Sequence, residues 1–189
     1  MYHRRTLAGV GARLGNRVRL QRAGHRGLRH AGAPLFERNY WYQYYLHGER
    51  GAAGLEAHRR EFAHLLWREW SPGWDFTEAQ FDSTAASFDN PDFVDVVVHS
   101  YRHRYGLAEG DPAYRHIEDQ LAAQPRIEVP TVIIDPTQDP LVPTLPPRAT
   151  HESHFSALLD IHAVPAGHNV PQEAPQAFAD AILRTHHPS

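Results

Sequence analysis

Two stretches decide the fold: Val129-Pro130-Thr131-Val132-Ile133-Ile134-Asp135-Pro136-Thr137-Gln138-Asp139-Pro140-Leu141-Val142-Pro143 and Val164-Pro165-Ala166-Gly167-His168-Asn169-Val170-Pro171. The first opens on a short β-branched apolar run of the kind found in a buried parallel strand, and the second closes another such run over residues 160–164. Each therefore continues past the carboxyl end of a strand, where open α/β sheets place their sites. An Asp in such a loop can orient a His ring and stabilise its protonated form. Gly167 lets the backbone turn sharply and expose His168. Taken singly, Asp139 reads as a turn former and His168 as a surface residue. Their shared context makes them a candidate acid–base pair.

Working outward, a Pro-rich loop and one helix over residues 151–159 join the two strands, and an amphipathic helix over 174–183 follows them. Upstream, from residue 34, helical periodicity and helix-boundary residues predict five helices. The first covers 38–47 and is strongly aromatic. The second covers 52–70, with Leu55, Phe62, Leu65, Leu66 and Trp70 at mixed three and four spacings, and is ended by Pro72 and Gly73. Thr77 with Gln80 reads as a capping box before the third, since hydroxyl and amide each satisfy an orphan backbone N–H. Asn90-Pro91 opens the fourth, whose stripe is Phe93, Val94, Val97, Val98 and Tyr101, closed by Gly106. Asp111-Pro112 opens the fifth, which ends before Pro125. Two strands alone make a poor sheet, because a parallel pair needs cover on both faces and further strands beside it.

The first stretch resembles the penultimate core strand and acid loop of the α/β-hydrolase superfamily, and the second its final strand and histidine loop. The order of acid before histidine agrees with that pattern. Asp135-Pro136 departs from it, standing where a small residue or His followed by Gly is common. The helical stretch is then similar to the lid inserted in this superfamily. Within it Tyr42-Gln43-Tyr44-Tyr45-Leu46 resembles the first lid-tyrosine motif of epoxide hydrolases, and Ser100-Tyr101-Arg102 the second. The resemblance implies a partial α/β-hydrolase fold, with Asp139 as acid, His168 as base, and Tyr42 and Tyr101 as phenol donors to an opening epoxide oxygen. A phenol pair suits that chemistry because the oxygen gains negative charge as the ring opens. The plainer reading of the aromatic run and of Tyr101 on its apolar stripe is packing.

The nucleophile of the superfamily sits on a G-x-Nuc-x-G elbow between strand and helix. No such pattern occurs in the 189 residues. Gly73-Trp74-Asp75-Phe76 comes nearest, but it lies between helices with no strand before it. The resemblance thus implies an α/β-hydrolase fragment, with an ester or haloalkane hydrolase of the same fold as the enzymatic alternative. A non-catalytic module that binds a partner or self-associates through an exposed sheet edge is the alternative from another class. The implied partner of intact relatives is a small-molecule substrate, and no cofactor is implied.

Charge is unevenly placed. Residues 1–36 hold eight Arg and no acid, and the other eleven of the 19 basic residues, all Arg, face 22 acids. Such a basic segment could contact phosphates, but it lacks aromatic interleaving, so nucleic-acid binding is disfavoured. Rich in Gly, Arg and His, it reads as disordered or, since a G and C rich gene read out of frame yields such a composition, as non-native. The expected organisation is a basic segment at 1–33, a helical lid at 34–126 and the end of a hydrolase core at 127–189. With no cysteine, disulfides, zinc thiolates and a thiol nucleophile are excluded. The absence of an apolar run long enough for a membrane span or a secretory signal makes the cytoplasm the default location. Among the 15 His, His99 and His103 share a helix face, yet two ligands hold zinc poorly, and no metal site is assigned.

Overall fold

The computed structural model describes residues 32–186, so all of the basic segment but Gly32 and Ala33 lies outside the described residues. The helical part comprises α1 (Pro34–Arg38), α2 (Trp41–Tyr45), α3 (Glu49–Ala57), α4 (Arg59–Trp70), α5 (Glu78–Ala85), α6 (Phe93–Arg104) and α7 (Arg115–Ala122). It is followed by β1 (Thr131–Pro136), α8 (Arg148–Glu152), β2 (Leu158–Val164), α9 (Val170–Glu173) and α10 (Pro175–His186). β1 and β2 pair in parallel, from Thr131 opposite Leu158 to Pro136 opposite Val164, and form a two-stranded sheet among the described residues. Helix α10 packs against β1. The result is a partial α/β fold of helices followed by a strand-helix-strand-helix run.

Several boundaries differ from the sequence expectation, each in a definite structural setting. The helix expected over 38–47 is broken between α1 and α2. Asn39 Nδ2 donates to Pro140 O at 2.9 Å and Tyr40 Oη to Leu141 O at 2.8 Å, so both residues at the break are held by the Asp139 loop. The single helix expected over 52–70 is two, since His58 leaves helical geometry at φ −137° and ψ 43°. Packing sets the path of α3 there: a Cβ on Gly51 would lie 1.8 Å from Tyr45 O, so only glycine allows this approach. The helix expected over 151–159 is reduced to Arg148–Glu152, because the chain from Leu158 onward is taken up by pairing with β1. Conversely β1 starts at Thr131, after Pro130, which has no N–H to give to a ladder. The fifth helix starts as a 3-10 turn, Pro112–Tyr114, with Ala113 N donating to the Asp111 side chain at 2.9 Å.

Other signals appear as written. At α5 Gln80 N donates to Thr77 Oγ1 at 3.2 Å while Thr77 N donates to Gln80 Oε1 at 2.8 Å, the reciprocal capping box. Gly106, at φ 70°, follows α6 in the left-handed region that glycine tolerates. Two apolar clusters hold the helices together. One joins Trp67, Phe76, Phe81, Ala85 and Phe88, with Trp74 stacked on Trp67 at 5.0 Å between ring centroids. The other joins Leu46 and Leu55 to Val94 and Val98 of the α6 stripe. A third, of Val164, Ala166 and Val170, fixes the end of β2.

Two measurements follow from this packing. Phe81 is 1 % exposed at the centre of the aromatic cluster. Phe81→Ala should therefore cost about 3–5 kcal/mol of unfolding free energy, read from the shift of a denaturant midpoint. His47 lies at the α2–α6 junction, its ring 4.6 Å from that of Tyr105, and its Nε2 is buried with no hydrogen bond among the described residues. Burial first, and the Arg102 charge second, hold it below the ordinary imidazole value of 6.5. The folded state thus prefers neutral His47. Its contribution is complete above about pH 6.5 and is lost as pH falls through the lower folded value. His47→Phe should flatten the fall of the melting temperature between about pH 7 and pH 5.

Candidate functional site

The parallel register brings the two loops together. Beyond Pro136 and Val164 the ladder continues, with Thr137 N donating to Val164 O at 2.9 Å and Gln138 N to Ala166 O at 3.0 Å. Asp139 and His168 then stand side by side. His168 Nδ1 donates to Asp139 Oδ2 at 2.8 Å, and the Asp139 side chain is fully buried. Its second oxygen accepts Leu141 N at 2.8 Å. A carboxylate with both oxygens engaged can turn very little, so the imidazole tautomer is fixed with the proton on Nδ1. That leaves Nε2 as the basic nitrogen. The His168 side chain is 23 % exposed.

Three of the four residues singled out from sequence are linked, through Trp70, by a row of rings. Tyr101 meets Tyr42 edge to face at 5.5 Å between centroids, Tyr42 meets Trp70 at 5.3 Å, and Trp70 meets His168 at 5.1 Å. Tyr42 is 2 % exposed and Tyr101 half-buried. Gln43 Nε2 donates to Tyr42 Oη at 2.9 Å, and Tyr105 Oη donates to Gln43 Oε1 at the same distance. Burial raises the Tyr105 phenol above its ordinary value of 10.0, so it keeps the proton that it gives to Gln43. A cavity of about 420 Å³ opens beside Trp70, between Arg38, Asn39, Pro140 and Leu141. Tyr42, Tyr101 and His168 are not among its walls.

Sequence reasoning missed the residues around the histidine turn. Ser71, at the end of α4, is 1 % exposed and donates through Oγ to Glu173 Oε1 at 2.6 Å. Gly167 N donates to Glu173 Oε2 at 2.7 Å and Asn169 N to Glu173 Oε1 at 2.9 Å. His168 N donates to Trp70 O at 3.0 Å and, more weakly, to Ser71 Oγ at 3.2 Å. Glu173 was in view five positions after His168, whereas Ser71 carried no signal beyond a helix end before proline. A second His–Asp pair was also missed. His151 Nε2 lies 3.2 Å from Asp135 Oδ2 with both side chains 7 % exposed, which gives Asp135, the departure from the hydrolase pattern, a buried partner.

The remaining candidates stay apart from this site. Asp75 is exposed in the turn between α4 and α5. His99 and His103 stack at 5.9 Å on α6, and among the described residues no group of three or more His, Asp or Glu is arranged to hold a metal. No described helix is long and apolar enough to cross a membrane.

No known family profile matches the chain, and no curated protein matches it. Solved structures do. A crystal structure of a "putative epoxide hydrolase" from Klebsiella pneumoniae subsp. pneumoniae superposes with a TM-score of 0.78 and 34% identity, over 85% of this chain and 53% of that one. A "putative alpha/beta hydrolase" from Nostoc sp. PCC 7120 superposes with a TM-score of 0.66 over 87% of this chain and 55% of that one; at 16% identity this likeness speaks for the fold alone. The chain spans about half the length of both. With parallel strands followed by the Asp139 loop and the His168 turn, and with this likeness in sequence and fold, the chain has a partial α/β-hydrolase fold and resembles the epoxide hydrolases.

Proposed function

We propose that the chain carries the water-activating part of an epoxide-hydrolase-like site acting on a small molecule, with the helical part as its lid. The observation that carries this reading is the 2.8 Å bond between His168 Nδ1 and the fully buried Asp139 carboxylate. In such a site a carboxylate attacks an epoxide carbon, the ring C–O bond breaks, and the oxygen takes a proton from a phenol. Tyr42 and Tyr101 are the proposed phenols. Gln43 supports that role, because an N–H donated into Tyr42 Oη occupies an acceptor position and polarises the remaining O–H. Water then adds to the ester carbonyl as one of its protons passes to His168 Nε2, with Asp139 stabilising the imidazolium; the ester C–O bond breaks as the imidazolium gives that proton to the departing diol oxygen, and the second water proton restores the phenol.

The attacking carboxylate has no counterpart in these residues, since no G-x-D-x-G or G-x-S-x-G elbow is present. A complete site on this reading needs a nucleophile from outside them. An elbow aspartate would give epoxide or haloalkane chemistry and a serine ester chemistry, so the identity of that residue discriminates between the enzymatic alternatives. The burial of Tyr42, 2 % exposed, is the observation that favours the rival reading of Tyr42 and Tyr101 as packing.

Two tests separate these readings. The 189-residue chain alone should hydrolyse epoxides, esters and haloalkanes no faster than buffer, because no covalent intermediate forms without the nucleophile. Efficient turnover abolished by His168→Ala would overturn that. Independently, a low-field ring N–H resonance should mark the bond from His168 to Asp139 and vanish in Asp139→Ala. Persistence of the resonance in that variant would show that Asp139 is not the partner.

A further inference from the structure

Resting on the reading of His168 as the water-activating base, we infer that Glu173 and Ser71 are positioning residues that set the His168 ring through its backbone. Three consecutive N–H groups around the histidine are bound. Gly167 N and Asn169 N go to opposite oxygens of Glu173 at 2.7 and 2.9 Å, and His168 N between them goes to Trp70 O at 3.0 Å and Ser71 Oγ at 3.2 Å. The two acceptor side chains are themselves joined, since Ser71 Oγ donates to Glu173 Oε1 at 2.6 Å. Asn169 Nδ2 adds a longer contact to Ser71 Oγ at 3.3 Å. To rotate the His168 Cα–Cβ bond out of line, the peptides on either side must tilt, which breaks the bonds of His168 N to Trp70 O and Ser71 Oγ on one side and that of Asn169 N to the Glu173 carboxylate on the other. Contact closes the remaining freedom: a Cβ on Gly167 would fall 2.6 Å from Ser71 Cα, so the two backbones already touch.

The ring is thereby fixed at both ends. Asp139 holds Nδ1 from the loop after β1, and Glu173 with Ser71 holds the main chain from α9 and from the end of α4. Because Ser71 follows α4 directly, it also ties the helical part to the histidine turn: a displacement of α4 would reach the His168 main chain through Ser71 Oγ and Trp70 O. A carboxylate is required at position 173, not merely a side chain of that shape. Two oxygens accept three donors there, and a carboxamide offers one acceptor atom and sets its NH2 against a backbone N–H or the serine hydroxyl.

Proton exchange measured by NMR on the full chain tests this, with Glu173→Gln and Ser71→Ala compared with the parent. The His168 ring N–H, bonded to Asp139, is the readout, and the Gln80 amide in the α5 capping box is the control. Glu173→Gln should speed exchange of the ring proton by about tenfold, the scale of losing one hydrogen bond to a charged group, while Gln80 is unchanged. Ser71→Ala should speed it by a smaller factor in the same direction. Ring exchange in Glu173→Gln equal to that of the parent overturns the proposal, because shape alone would then suffice. Equal acceleration at Gln80 also overturns it, since Glu173 would then support the whole fold. A parent chain without the low-field ring proton overturns the Asp139–His168 reading itself, and the proposal with it.

Discussion

The parallel pairing of β1 and β2 is the constraint on which the site depends. Strands running the same way end at the same edge, so the loops that leave them emerge as neighbours. With Pro136 opposite Val164, Asp139 lies three residues beyond one strand end and His168 four beyond the other. Two further ladder bonds carry the pairing past the strands before the loops diverge. A slip of one residue would turn the side chains at the strand ends to the other face and separate acid from base. The third apolar cluster, of Val164, Ala166 and Val170, opposes this because it buries Val164 at the end of β2.

The helical part is held by aromatic packing and meets the site at few points, each hydrogen-bonded. Asn39 and Tyr40 reach the acid loop, while Trp70 and Ser71 reach the histidine turn. These contacts come from helix ends, where backbone groups and cap residues are unused by the helices and free to bind elsewhere. Breaks in helical periodicity therefore coincide with contacts to the site. The interruption between α1 and α2 and the end of α4 are both of this kind.

This pattern explains what could be read in the sequence and what could not. Asp139 and His168 were legible because each follows an apolar run with a strong turn signal, so one-dimensional pattern and strand topology agree. The Thr77 capping box and the Gly106 helix end were legible because their physics is confined to a few neighbouring residues. Positions set by distant partners were not. Helicity over 38–47 gave no sign of the break there, where Asn39 and Tyr40 bond to Pro140 and Leu141 a hundred residues away. Ser71 and His151 were invisible for the same reason, since a lone polar residue takes its meaning from what the fold brings against it. Tyr42 and Tyr101 stand between these cases, for the resemblance named them and the structure joins their rings with Tyr42 buried.

The bonds from Asn39 and Tyr40 fall on main-chain oxygens of residues 140 and 141, not on their side chains. A carbonyl is the same in every amino acid, so this anchorage is indifferent to what positions 140 and 141 carry, within the limits of backbone conformation. The walls that those two residues give to the cavity beside Trp70 can be recut without removing either of these anchoring acceptors. The asymmetry makes residues 140 and 141 natural places to vary the cavity, and Asn39 and Tyr40 poor ones.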